Sequence, residues 1–198
     1  KEINFKMSEE KNIIEEIRKF VEEECRKPTS KYGFEPFEDH FIPMRNWAVK
    51  LAEKYKADLE IVEIAAWLHD IGSIIFGRDN HHVTGAQIAE EKLKELNYDE
   101  NKIEIVKECI LNHRGSQEKN NIRNSPESKV IVEADVMCNF NNLSGMFDCA
   151  FTEGKSRKEA EKSVRDKLIR KYNQLSFEES KELVKPKYEA AMLLLNGT

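Results

Sequence analysis

Apolar residues recur every three or four positions along most of the chain, which is the period of an amphipathic helix. The stripes comprise Ile13, Ile17, Phe20 and Val21; Met44, Trp47, Ala48, Leu51 and Tyr55; Ala86, Ala89, Leu93 and Leu96; and Ile103, Val106 and Ile110. The segment from Ile61 to Leu68 is apolar on almost every side, which is typical of a central helix. No alternating segment is long enough to propose a β-sheet. The pattern therefore predicts an all-α fold.

Capping residues indicate where several of these helices begin and end. Asp58, Asp99 and Ser125 are predicted N-caps because their side chains can accept hydrogen bonds from free backbone N–H groups. Gly72 offers a helix stop, so residues 73–80 are expected to form a loop. A second expected loop, exposed and polar, covers residues 114–125.

The C-terminal part of the sequence is rich in charge. It predicts a long charged helix over residues 156–174 with a solvated face, followed by a helical pair broken near Pro186. Near the start of the chain, residues 28–36 are expected to form a loop, which belongs to a segment, residues 28–39, that flanks the candidate site in sequence. Its aromatic residues are candidates either for stacking on a base or for fixing the loop onto the core: Tyr32, Phe34 and Phe37.

Composition and charge exclude some classes of function. The chain of 198 residues is 39% hydrophobic and 35% charged, with a formal charge of -5, so an extended nucleic-acid surface is not expected. No apolar run approaches the roughly 20 residues that span a bilayer, and the first residues lack a secretory apolar segment. The four cysteines show no C-x-x-C spacing, which is typical of reduced thiols. We therefore expect a cytoplasmic location and no membrane partner.

Two acidic residues lie in strongly apolar surroundings. Asp70 ends the most apolar helix, and no lysine or arginine occurs between Ala57 and Phe76. Asp135 lies within the apolar stretch from Val130 to Phe140. An ionised buried carboxylate is costly unless it is paired or coordinated. A divalent metal shared by both acids satisfies this requirement, although a buried salt bridge for Asp135 or a capped acid at position 70 remain alternatives.

The histidines strengthen the case for a metal. All five lie between positions 40 and 113. His113 continues the stripe of Ile103, and His82 heads the stripe of Ala86, whereas His81 falls off that stripe and is left out of the predicted set. A single histidine on an apolar face is more often a hydrogen-bonded core residue. The joint pattern favours ligands that several helices deliver to one interior point.

The order His40, His69-Asp70, Asp135 resembles the H…HD…D signature of the HD-domain superfamily of metal-dependent phosphohydrolases. His69-Asp70-Ile71-Gly72 is similar to the HDIG form of that signature, although many such proteins carry a lysine where this chain has Ser73. The resemblance implies one HD-type helical bundle over residues 1–198. Its metal-site core would cover about residues 37–140, and about 141–198 would form additional C-terminal helices.

The same resemblance implies a set of metal ligands. His40, His69, Asp70 and Asp135 would hold a first divalent ion, and His82 and His113 would extend the site to a second ion. Asp70 would then bridge the two ions and act as a catalytic residue together with a metal-activated water. Because imidazole suits transition metals, Mn, Fe, Co or Ni is expected in preference to Mg.

The expected function is hydrolysis of a phosphate ester or phosphoanhydride of a small molecule, with a nucleotide as the favoured class. Arg78 and Arg114 are candidates for binding phosphate oxygens, although solvated loop arginines are the more common case. Two alternatives share the scaffold. One is a mixed-valent di-iron oxygenase, and the other is a non-catalytic sensor that binds a metal or a nucleotide.

Overall fold

The computed structural model describes residues 2–114 and 125–195, with side chains from residue 13 onward. These residues form helices and connecting turns without a β-strand, which confirms the all-α prediction. The helices are α1 (Glu2–Arg26), α2 (Ile42–Tyr55), α3 (Leu59–Leu68), α4 (Ile71–Phe76), α5 (His81–Glu95), α6 (Glu100–Asn112), α7 (Pro126–Asn139), α8 (Leu143–Thr152), α9 (Arg157–Tyr172) and α10 (Glu178–Leu195). A π-helical turn, Phe37–Phe41, leads directly into α2.

The predicted N-caps are confirmed by their hydrogen bonds. The side chain of Asp58 accepts from the backbone N–H of Ile61 at the start of α3. Asp99 caps α6 in the same way, and Ser125 caps α7 ahead of a proline in the first turn. Each cap satisfies backbone donors that would otherwise lack a partner at the helix end.

Helix α3 lies at the centre of the bundle. Its residues from Ile61 to Leu68 are all buried, and it packs against α1, α2, α6 and α7. Because α3 is apolar on almost every side, it can bury surface against all of these neighbours at once. The helix thereby holds the two residues that follow it in place: His69 is fully buried, and Asp70 is partly buried.

Gly72 does not end a helix, contrary to the prediction. The chain turns at His69 and Asp70, and α4 then begins at Ile71, so only residues 77–80 of the expected loop are irregular. A Cβ atom at Gly72 would lie 2.3 Å from the carbonyl oxygen of His81 and 2.7 Å from the backbone nitrogen of Gly85. The glycine therefore permits the close approach of α4 to α5.

The C-terminal region differs from the prediction in two places. Helix α8 was not expected, and α10 continues through Pro186 instead of breaking there. Val184 is buried on one side of the proline, and Tyr188 stacks on Tyr172 on the other, so packing holds the helix together across the missing N–H. Of the expected loop 114–125, residues 115–124 lie outside the described residues.

Helices α8 to α10 form a layer on the core. Helix α9 packs against α7, α8 and α10, and α10 also contacts α7. Buried Glu133 of α7 joins the layers, because its carboxylate accepts hydrogen bonds from the backbone N–H groups of Ser176 and Phe177. In the described part of the chain, none of the helices combines the length and apolarity that a membrane crossing requires.

Candidate metal centre

Five candidate ligands lie at or near helix ends that converge on one point. His69 ends α3, Asp70 precedes α4, His81 begins α5 and His113 follows α6. His40 lies in the π-helical turn before α2. Short π-helical segments often occur at functional sites, where the wider turn redirects a side chain.

The structure groups these residues into two triads of possible ligand atoms. The first triad consists of His40, His69 and Asp135, and the second consists of Asp70, His81 and His113. In each triad, one nitrogen or oxygen of every member lies within 4.8 Å of the others. His40, His69, Asp70, Asp135 and His113 are therefore brought together as the sequence pattern predicts.

Asp70 belongs to the second triad and also faces the first. Each of its two oxygens lies near the histidines of one triad. Oδ2 is 3.4 Å from Nε2 of His40 and 3.5 Å from Nε2 of His69. Oδ1 is 3.2 Å from Nε2 of His81 and 3.3 Å from Nε2 of His113. A carboxylate in this position can bridge two cations.

Backbone carbonyls fix the ring orientation of three histidines. Nδ1 of His69 lies 2.8 Å from the oxygen of Ala66, and Nδ1 of His113 lies 2.6 Å from that of Ile110. Nδ1 of His81 lies 2.7 Å from the carbonyl oxygen of the residue three positions earlier. Since a carbonyl only accepts, each Nδ1 carries the proton, and a neutral ring then directs the Nε2 lone pair inward.

The inward-facing lone pairs meet at short distances. Nε2 of His81 is 3.2 Å from Nε2 of His113, and both face Oδ1 of Asp70. In the first triad, Nε2 of His40 is 3.0 Å from Nε2 of His69. Lone pairs that converge in this way repel one another unless a proton or a metal ion lies between them. Although burial opposes it, the neighbouring Cys138, Asp70 and Asp135 raise the pKa of His40 well above its ordinary value, so His40 carries such a proton, which a metal ion can replace. The donor set therefore fits divalent transition-metal ions, with imidazole nitrogens and carboxylate oxygens as ligands.

Cys138 supports the remaining histidine of the first triad. Its sulfur lies 3.4 Å from the carbonyl oxygen of His40 and 3.4 Å from Nδ1 of the same residue. The thiol can donate a hydrogen bond to the carbonyl oxygen of His40, and its sulfur can at the same time accept one from Nδ1 of His40. The His40 ring then also presents Nε2 to the centre, as a metal ligand requires.

Charges in the centre are set by burial and by neighbouring groups. Burial lowers the pKa of His69 to about 4, so its imidazole is neutral at pH 7, the form that binds a metal. Burial opposes ionisation of Asp70 and Asp135. The pKa of Asp70 nevertheless falls well below its usual range because of the histidines around it, and that of Asp135 falls because of Lys171 and His40. Both acids are carboxylates at neutral pH.

The structure differs from the sequence-based expectation at one position: it brings His81, not His82, to Asp70 and His113. His82 is buried, as its place on the Ala86 stripe indicates, but it lies outside both triads. The candidate metal centre lies at the N-terminal end of α5. The side chain directed at it is therefore that of His81, the first residue of the helix, and not that of His82, which lies on the core stripe. The left-handed backbone of Asn80 sets this starting point.

A cavity of about 340 Å³ opens from the two triads. Arg78, which is partly buried, and Arg114, which is exposed, both line it. Tyr32 lines it too, whereas Phe37 stacks on Trp67 in the core. One ring of this aromatic segment therefore lines the cavity, and another packs in the core.

Three residues of the site were not found from the sequence. Lys171 of α9 is buried and forms an ion pair with Oδ2 of Asp135, while Asn139 donates to Oδ1 over 2.6 Å. Lys167, one turn before Lys171, lines the cavity. A signal was present: Lys171 falls on the apolar stripe of Val164, Leu168 and Leu175, where a solvated lysine is not expected. The charged helix thus has a solvated face and a second face directed at the site.

A family model described as the HD domain matches residues 37–139, just over half of the chain. The chain therefore belongs to the HD-domain family. The matched range begins at the π-helical turn and ends with α7, so it contains every residue of the two triads. Family and fold together support a metal-dependent phosphohydrolase in general.

The chain is also similar to individual proteins and solved structures. A Clostridium beijerinckii protein described as uncharacterized is 33% identical over 85 residues, which are 41% of this chain and 54% of that protein. The chain thus matches about half the length of this relative. A Bacillus thuringiensis HD-superfamily hydrolase covers 94% of this chain and 95% of its own length with a TM-score of 0.66 at 17% identity. Bacillus subtilis YpgQ, solved in complex with ADP, covers 92% and 94% with a TM-score of 0.65 at 20% identity.

Proposed function

We propose that this protein hydrolyses a phosphate ester or phosphoanhydride of a small molecule, and that the molecule is a nucleotide. The observation that carries the proposal is the pair of triads joined by Asp70, because inward lone pairs and carboxylates at this spacing suit two divalent ions. Two ions sharing one carboxylate are a common arrangement for cleaving phosphate bonds.

The ligand sets proposed follow the geometry. His40, His69 and Asp135 would hold one ion, His81 and His113 would hold the other, and Asp70 would contribute one oxygen to each. Bound divalent ions would supply a hydroxide nucleophile at neutral pH and stabilise the negative charge of the transition state. The number of imidazole ligands supports Mn, Fe, Co or Ni over Mg.

The remaining residues of the site would bind and orient the substrate. Arg78 and Arg114 line the cavity and can donate to non-bridging phosphate oxygens. Tyr32 presents a ring on which a base can stack, and the neighbour YpgQ binds ADP on a similar fold. Asn139 and Lys171 hold Asp135 in one orientation, which preorganises the first triad.

Release of phosphate and pyrophosphate from a panel of nucleoside mono-, di- and triphosphates, measured with Mn²⁺, tests the proposal. The wild-type protein should release one of these products, and Asp70→Asn should abolish the release. Asp79→Asn is the matched control, because this exposed aspartate lies outside both triads. Oxygen consumption without release of either product, or nucleotide binding without turnover, would refute the proposed reaction.

A further inference from the structure

One face of α9 forms a polar line along the wall of the cavity. Ser163, Lys167 and Lys171 are spaced four residues apart, and all three line the cavity. Side chains at this spacing lie above one another on a helix, and successive members are about 6 Å apart along its axis. The line begins at the metal centre, where Lys171 contacts Asp135, and leads away from it.

Lys167 has a different environment from Lys171. Lys171 pairs with Asp135, but no described carboxylate lies within ion-pairing distance of Lys167. Two of the charged groups that affect the pKa of Lys167 are also cations, Arg78 and Lys171. Partial burial and these two like charges lower the pKa of Lys167 to about 8, against a weaker opposing effect of Asp135. Because Lys167 lines the cavity and makes no direct ion pair with a described acid, its ammonium group is available to an anion that enters the cavity.

Arg78 brings a second positive charge to the same cavity from a different element of the fold. It belongs to the segment between α4 and α5, and its guanidinium is 3.5 Å from a carboxylate oxygen of Glu153. That carboxylate is shared, because its other oxygen pairs with Lys155. Arg78 therefore retains donors for a ligand, and it lies close enough to Lys167 to affect its pKa.

Building on the proposed function, we propose that Lys167 and Arg78 form an anion subsite for the phosphoryl group next to the one held at the metal centre. The substrate class is then nucleoside diphosphates or triphosphates in preference to monophosphates. Lys167 lies one helical turn from the lysine at Asp135, so an anion that extends from the metal centre along this face of the helix would reach it. Ser163 continues the same line by one further turn.

Calorimetric binding of inorganic pyrophosphate and of orthophosphate to the protein as purified, dialysed free of unbound metal, tests the subsite. Pyrophosphate should bind more tightly than orthophosphate. Lys167→Met should weaken pyrophosphate binding at least tenfold and orthophosphate binding less than threefold, and Lys167→Arg should restore most of the loss. Lys162→Met, an exposed lysine on the same helix, is the matched control and should bind as the wild type does.

Circular dichroism and elemental analysis of each variant establish that fold and metal content are equal before affinities are compared. Equal pyrophosphate affinity in wild type and Lys167→Met, or no preference for pyrophosphate over orthophosphate, would overturn the subsite. The two proposals fail separately. Lys167-dependent pyrophosphate binding without hydrolysis of any nucleotide refutes the reaction alone, whereas hydrolysis with unchanged pyrophosphate binding in Lys167→Met refutes the subsite alone.

Discussion

Lys171 of α9 forms a buried ion pair with Oδ2 of Asp135, whose other oxygen faces His40 and accepts a hydrogen bond from Asn139. Through this contact, a helix beyond the family-matched range reaches the centre of the candidate metal site. The lysine occupies one carboxylate oxygen, so Asp135 offers a ligand through the other. The C-terminal layer thereby helps to fix the direction of a ligand in the core.

Lys171→Met tests this relationship. The substitution leaves Asp135 buried without its cation, which should cost the chelated protein roughly 3–5 kcal/mol of unfolding free energy. A divalent ion can replace the missing charge, so Mn²⁺ should raise the melting temperature of Lys171→Met more than that of the wild type. Thermal melts with chelator and with Mn²⁺ measure both values. An equal Mn²⁺-induced shift in the two proteins would contradict the argument, and Lys162→Met provides the control.

His81 and His82 should respond differently to substitution. His81→Ala removes a proposed ligand of the second triad and should weaken metal binding there by at least roughly tenfold. His82→Gln should keep the metal content of the wild type, because His82 lies outside both triads. Elemental analysis after purification without added metal gives the ion count. The reverse result, with metal lost only in His82→Gln, would restore the assignment made from the sequence.

Gly72→Ala should disturb the site without touching a ligand. The new methyl group would meet backbone atoms of His81 and Gly85, which cannot rotate away, so α4 and α5 must separate. We expect a loss of roughly 2–4 kcal/mol in unfolding free energy and weaker binding of one metal. Gly85→Ala is the comparison, because the nearest atoms to its new methyl group lie 3.4 Å away. Denaturant titration measures the loss of unfolding free energy in both variants. Similar losses in Gly72→Ala and Gly85→Ala would contradict the importance of the close contact.

The lowered pKa of Lys167 predicts how its contribution to stability depends on pH. Its ammonium faces Arg78, Lys171, Asp135 and Cys149, and its pKa is about 8 in the folded protein against 10.5 ordinarily. Below pH 8 the lysine is charged in both states, and the folded state bears the full cost of that charge. As pH rises from 8 toward 10.5, only the unfolded state remains protonated, so the cost disappears.

Lys167→Met should therefore be more stable than the wild type at pH 7, by roughly 1–3 kcal/mol. The difference should shrink steadily as the pH approaches 10. Denaturant unfolding at a series of pH values between 7 and 10 measures it. A difference that stays constant or grows over this interval would show that the lysine is not destabilised by its surroundings.

Much of the fold could be predicted because its signals are local. The period of apolar residues placed α1, α2, α5 and α6, the segment that is apolar on almost every side placed α3, and the charge pattern placed α9. Short-range hydrogen bonds explain why Asp58, Asp99 and Ser125 cap helices as expected. The predictions at Pro186 and Gly72 were wrong because tertiary packing overrides the usual tendency of these residues to end a helix. Tyr188 and Val184 hold α10 across the proline, and the glycine serves a contact with another helix.

The sequence by itself determined an all-α chain in which Asp70 and Asp135 lie in apolar surroundings and histidines are available to share a cation with them. Only the tertiary structure decided that His81 and not His82 faces Asp70, and that Lys167 and Lys171 reach the cavity. The reason is physical. Helix-forming preferences act over a few residues, but the direction of a side chain at a helix end depends on where the helix starts and on what packs against it. Residues 36 positions apart, such as Asp135 and Lys171, meet only through the docking of whole helices.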